Sequence, residues 1–124
     1  MSLFTIDVSS LLSLPLGSVS EFQFEQELPL DTWEDLICTE MLHMSVKLIR
    51  EDYGINCLLT EVTTTITIPS EGLEDVSISL EHISREFHLK KTEKDTDDIE
   101  YINTHDATID LSRVIEQELL IAGL

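Results

Sequence analysis

The side chains that could do chemistry fall into three groups: an acidic run, a scatter of thiols and imidazoles, and a knot of cations. From Glu93 to Asp106 the chain carries Glu93, Asp95, Asp97, Asp98, Glu100 and Asp106. Asp95, Asp97, Glu100 and Asp106 loosely follow the spacing of a calcium loop. The match fails where the geometry is strictest: position six would be Glu100, where the turn demands Gly, and position twelve would be Asp106, where a bidentate Glu is usual. A solvated acidic loop is the expectation, and no metal is assigned.

The four histidines are His43, His82, His88 and His105. His82 and His88 are separated by a strand segment and a change of phase, and His43 falls on the polar face of its strand, so surface imidazoles are expected. Cys38 and Cys57 have no further ligand at metal spacing. Their neighbours are acidic or apolar, whereas a low thiol pKa needs cations or a helix N-terminus. Both are read as reduced, packed thiols. No nucleophile elbow and no glycine-rich phosphate loop occurs among only four glycines. The sequence offers no catalytic constellation and implies no cofactor. Trp33 and Tyr53 are open to two readings, as stacking platforms or as core and turn anchors.

Charge narrows the partner. Seven Lys and Arg against 25 Asp and Glu give a net charge of -18 over 124 residues. Generic binding along a polyphosphate backbone needs many cations and is excluded; a basic partner fits better. Arg85, Lys90, Lys91 and Lys94 make up four of the seven cations. They could form a local phosphate-contacting patch, or they could neutralise the adjoining acidic run. The hydrophobic fraction of 42% argues for a folded body with its charge outside. No signal peptide and no run of about eighteen apolar residues is present, so a cytoplasmic location without membrane contact is expected.

The elements that must position these groups read mostly as strands. Phe4, Ile6 and Val8 alternate before a helical turn led by Ser9 and Ser10 and ended by Pro15 and Gly17. Glu21 to Leu28 sets Phe22, Phe24 and Leu28 against Glu21, Gln23, Glu25 and Glu27, a half-buried strand with an acidic outer face. Pro29 to Cys38 could be a loop or a helical turn. Met41 to Arg50 alternates again, and a turn at Asp52, Tyr53 and Gly54 leads into Ile55 to Ile68, where Leu58, Val62, Ile66 and Ile68 are placed on one face with Thr60 and Thr64. After a turn at Pro69 to Gly72, the inward set shifts from Val76, Ile78 and Leu80 to Ile83, Phe87 and Leu89, which predicts a β-bulge near His82. Glu93 to Asp106 is expected to be a mobile acidic loop. Asp110 caps a closing helix with Leu111, Val114, Ile115, Leu119 and Ala122 along one stripe and Gly123 at its end. No internal repeat is expected.

The order of these features carries a resemblance. Phe4-Thr5-Ile6-Asp7-Val8-Ser9-Ser10-Leu11-Leu12, then Gly17-Ser18-Val19, the Phe and Glu strand, the strand pair around Gly54, and Ile109-Asp110-Leu111-Ser112-Arg113-Val114-Ile115-Glu116-Gln117-Glu118-Leu119-Leu120-Ile121-Ala122 together resemble the YceD-like family. Its members are described as large-subunit ribosomal RNA accumulation proteins of bacteria and plastids. The chain departs at the turn where members often carry Pro-Cys-x-x-Cys-Leu: here Pro69-Ser70-Glu71-Gly72-Leu73 is one residue shorter and has no cysteine. Members also commonly continue past the last helix into a polar tail, whereas this chain stops at Leu124.

The expected fold is mainly β within α+β: a single YceD-like domain over 1–124, with a curved antiparallel sheet of about five to seven strands or a partly open barrel, and the C-terminal helix packed on it. Ile55 to Ile68 should be central, between Met41 to Arg50 and Val76 to Leu89. The resemblance implies a noncatalytic factor supporting large-subunit ribosomal RNA accumulation or ribosome assembly. The charge directs that role to a basic protein, a ribosomal protein or assembly factor, with direct RNA contact confined to the basic patch. Partner-binding residues are expected at Arg85, Lys90, Lys91, Lys94, Glu21, Glu25 and Glu27. The rival is an acidic adaptor or nucleic-acid mimic that occupies a cationic site on another protein.

Overall fold

A strict alternation of apolar and polar side chains has one low-energy solution, an extended strand with one wet face. In the computed structural model, which describes residues 3–72, 74–91 and 99–124, that solution is taken throughout the middle of the chain. The described strands are β1 (Thr5–Asp7), β2 (Val19–Gln26), β3 (Ile37–Cys38), β4 (Leu42–Glu51), β5 (Gly54–Thr67), β6 (Val76–His88), β7 (Glu100–Tyr101) and β8 (Thr108–Asp110), with helices α1 (Ser9–Leu12) and α2 (Ser112–Gly123). One sheet has the order β2-β4-β5-β6-β7, with β3 pairing β5 off that path, and β1 pairs β8 separately. As expected, β5 lies between β4 and β6, and α2 packs on the sheet. The sheet is open, not a barrel, and it is mixed, because β7 joins β6 in parallel.

The chain divides into two compact units. The first comprises Met1–Phe22, Val46–Leu58 and Ser84–Ser112. Its core includes Phe4, Val8, Leu11, Ile55, Phe87 and Ile109, each at most 5% exposed. Here β1 and β8 pair antiparallel, Thr5 opposite Asp110, Ile6 opposite Ile109 and Asp7 opposite Thr108. That register exposes a short internal repeat where none is expected: Thr5-Ile6-Asp7-Val8-Ser9 matches Thr108-Ile109-Asp110-Leu111-Ser112. Each copy is a short strand running into a helix, and each Asp accepts from the amide two residues on, Asp7 from Ser9 and Asp110 from Ser112, both at 2.9 Å. The paired strands run in opposite directions around Ile6 and Ile109, so the two motifs are related by a local pseudo-two-fold.

The second unit comprises Gln23–Ser45, Leu59–Ile83 and Arg113–Leu124. The segment left open between loop and helix is mostly irregular: Trp33 and Leu36 are buried, and β3 pairs Ile37 with Thr67 and Cys38 with Ile66. In α2 the apolar stripe of Val114, Ile115 and Leu119 is buried while Ala122 is exposed. Gly123 matters by its size: a Cβ there would sit 2.8 Å from Ile66 Cδ1.

Two expectations change and one holds. The inward face of β5 is not even-numbered throughout. Ile55, Cys57 and Leu59 are buried in its first half and Val62, Thr64 and Ile66 in its second, while Leu58 and Thr60 are half-buried. The switch is at Glu61, whose φ of 53 is left-handed and costs about 1 kcal/mol or more for a side chain of this type. In β6 the buried residues do shift from Ile78 to Ile83 and Phe87, the change of phase expected near His82. Residues 93–98 of the acidic run lie outside the described residues; in the remainder Glu100 and Tyr101 form β7, Ile102 is buried and Asn103 bridges Thr108, while 104–106 turn as a loop does. Six carboxylates in the run outweigh Ile99, Tyr101 and Ile102 in the composition, although Tyr101 and Ile102 help to set the backbone.

Candidate functional site

The predicted binding residues divide between two places, and the structure treats them differently. The first is the outer face of β2. Arg50 N–H donates to the Ser18 carbonyl, so in a regular antiparallel ladder the even residues of β2 bond to β4. The N–H and C=O groups of Val19, Glu21, Gln23 and Glu25 then point off the other edge. Nothing pairs with that edge among the described residues. The side-chain rungs agree with this register. Glu21 lies 3.9 Å from Lys47 and Glu25 lies 3.4 Å from His43. Gln23 Oε1 accepts from the Ser45 hydroxyl at 2.9 Å. Glu61 receives a longer bond from the same hydroxyl, 3.4 Å, which is where the left-handed residue aims its carboxylate. Glu21 and Glu25 stay about two thirds exposed in these pairs, so each pair holds at most about 1 kcal/mol. Glu27 is exposed just past the end of β2.

Beside this strand, in the first unit, is an apolar groove of about 360 Å³ lined by Ile6, Leu11, Leu14, Val19, Phe22 and Leu48. Leu14 is 49% exposed and Val19 46%. The sequence pattern signalled the strand and its carboxylates but not this groove, because Ile6 and Leu14 reach it through the fold of β1 and α1.

The second place is the end of β6. Gly54, at φ 150, lies so close to β6 that a Cβ would overlap the Phe87 carbonyl oxygen; glycine is the residue that fits both the angle and the space. The Arg50 guanidinium clamps the same turn through the carbonyls of Glu51 and Gly54. Tyr53 is therefore a turn anchor, its ring stacked on His88 with centroids 4.6 Å apart. His88 meets Glu86 at 2.9 Å. Burial, with Glu86, Glu51 and Asp52 nearby, pushes the Tyr53 phenol up to about 12. Lys90 lines a small cleft with Tyr53 and His88, and Lys91 lies 5.9 Å from the centre of the Tyr101 ring.

Arg85 is five residues of extended chain before Lys90, on the order of 15 Å, and its guanidinium donates to the Ser84 carbonyl. Lys94 lies outside the described residues. The described cations of the patch are thus spread along the strand end, each set against a ring, a cleft or a carbonyl. Tyr53, His88 and Tyr101 give this corner its shape; the sequence leaves Tyr53 between a stacking platform and a turn anchor, reads His88 as a surface imidazole and gives Tyr101 no role. The signal was weak: Tyr53 sits in a turn and His88 beyond a change of phase.

Cys38 and Cys57 are free and buried. Burial pushes the Cys57 thiol up to about 12. It also raises Cys38, against a smaller opposing effect from a hydrogen bond with Thr64. Glu116 is raised by burial and by Asp35 and Glu34 beside it. Among the described residues no three His, Cys, Asp or Glu side chains are grouped to hold a metal ion; Asp95 and Asp97 lie outside them. No described helix is long and apolar enough to cross a membrane. Set beside known proteins, the chain matches no family model, no curated protein and no solved structure.

Proposed function

We propose that this chain is a noncatalytic binding protein that takes a basic protein partner on the outer face of β2. The observation that carries the reading is the placement of Glu21 and Glu25, both exposed, on a strand whose outer edge is unpaired among the described residues. A surface of this sign attracts cationic partners over a Debye length and repels naked phosphate backbones. The resemblance to the YceD-like family directs the partner toward a large-subunit ribosomal protein or assembly factor, in the cytoplasm, and the outcome toward ribosomal RNA accumulation. RNA contact is left to Lys90 and Lys91 at the far end of β6.

The rival reading, a nucleic-acid mimic, is less favoured. A mimic needs a continuous row of charges, and neutral Gln23 leaves the carboxylates of Glu21 and Glu25 roughly 13 Å apart along the strand. Affinity purification with salt-graded elution tests the proposal. Recovery of a basic large-subunit component that elutes as salt rises, and that is lost from a Glu21→Lys, Glu25→Lys variant, is expected. Recovery unaffected by both salt and charge reversal would remove the reading.

A further inference from the structure

Edge strands in natural proteins are usually guarded by lysine, proline or a bulge, because an open edge pairs with whatever strand comes near. Over Val19–Gln26, β2 has no proline and no lysine. Its guards are carboxylates, which repel acidic strands and attract basic ones. An edge guarded this way selects its partner by sign.

We propose that β2 is extended by an added strand from the partner: a segment of alternating cationic and apolar residues that hydrogen-bonds to the outward N–H and C=O groups of Val19, Glu21, Gln23 and Glu25. This deepens the basic-partner reading and rests on it. Side chains on such a segment alternate between faces. One set meets Glu21 and Glu25, which calls for Lys or Arg. The other set falls beside Phe22 and the groove walled by Leu14 and Ile6, which calls for Val, Ile or Leu. Main-chain bonds supply affinity and alternate side-chain positions supply choice, as in other strand-addition sites. A second copy of this chain is a poorer occupant, since two β2 edges would bring like carboxylates opposite one another.

The test uses the full chain and three nine-residue peptides of one composition. The first alternates Lys with Val or Ile, the second is the same peptide N-methylated at alternate residues, and the third groups its lysines in a block. Binding is read by fluorescence anisotropy at low salt and by amide shifts across the chain. The first peptide is expected to bind about tenfold or more tighter than the N-methylated one, roughly the effect of losing one or two backbone hydrogen bonds, with shifts centred on residues 19–26.

Gln23→Pro removes an outward N–H without touching the β4 ladder. It should weaken the first peptide about tenfold relative to Gln23→Ala, which loses the same Ser45 bond but keeps the N–H. Glu21→Lys with Glu25→Lys should weaken all three peptides. Equal binding of the three would overturn strand addition and leave the basic-partner reading standing. Binding of none would sink both. A concentration-dependent dimer with residues 19–26 shielded would also overturn it, by showing that a second copy covers the edge.

Discussion

The acidic strand β2 and the corner at the end of β6, where Lys90 and Lys91 stand beside Glu51, Asp52 and Glu86, differ most in what their backbones are doing. At the corner the chain is crowded: Gly54 abuts the Phe87 carbonyl, Tyr53 stacks on His88, and Lys91 approaches Tyr101. Cations there are set against groups of their own unit. On β2 the carboxylates face solvent, their partners Lys47 and His43 are loosely held, and one side of the main chain is unpaired among the described residues. A charged side chain is available to a partner where the surrounding structure makes little use of it, so a count of cations and anions is a poor guide to where binding occurs.

The sharpest way to break the contrast is at Gly54. Gly54→Ala should cost about 3 kcal/mol or more, through overlap and an unfavourable φ together, and chemical denaturation would show it. An alanine there that unfolds like the parent would mean the corner is as slack as β2. Next comes the Cys57 thiol, on the buried side of β5. An unfolded thiol ionises near 9, whereas burial pushes the folded one up to about 12, so between those values unfolding releases a proton. Stability should be unaffected below pH 9 and fall as pH rises above it, by up to about 1.4 kcal/mol per unit. Denaturation of the parent and of Cys57→Ala across that range measures the difference, and parallel curves would refute it.

Gly123→Ala should cost about 1 kcal/mol, because the atom it meets is the movable tip of Ile66. Lys47→Ala on the β4 rung opposite Glu21 should change stability by less than about 0.5 kcal/mol. A larger loss in the same denaturation assay would show that the outer face is tied down after all.

Much of this was legible from side-chain alternation. β4 reads directly from Leu42, Met44, Val46 and Leu48, and the acidic face of β2 from Glu21, Gln23 and Glu25. Alternation misled in β5 because both of its parities are apolar: Ile55, Cys57 and Leu59 compete with Leu58 and Val62, and the left-handed Glu61 that reconciles them leaves no mark in composition. The groove and the β1–β8 pair depend on residues far apart in sequence, where local periodicity carries no information. Tyr53 reads from the sequence as a turn anchor or a stacking platform, but its partner His88 depends on how β6 is registered against β5.

Pairing Thr5 with Asp110 also sets a schedule. Closing so long a segment costs entropy that grows only slowly with length, but the contact cannot begin to form until its second strand exists. During synthesis β1 is made first and must wait for β8 to emerge, with Phe4, Val8 and Leu11 uncovered in the interval. The hairpin of β4 and β5, joined by a tight turn, can assemble long before that. The last strand made therefore completes the site of the first, and a chain stalled before Thr108 would display its N-terminal apolar residues to any chaperone nearby.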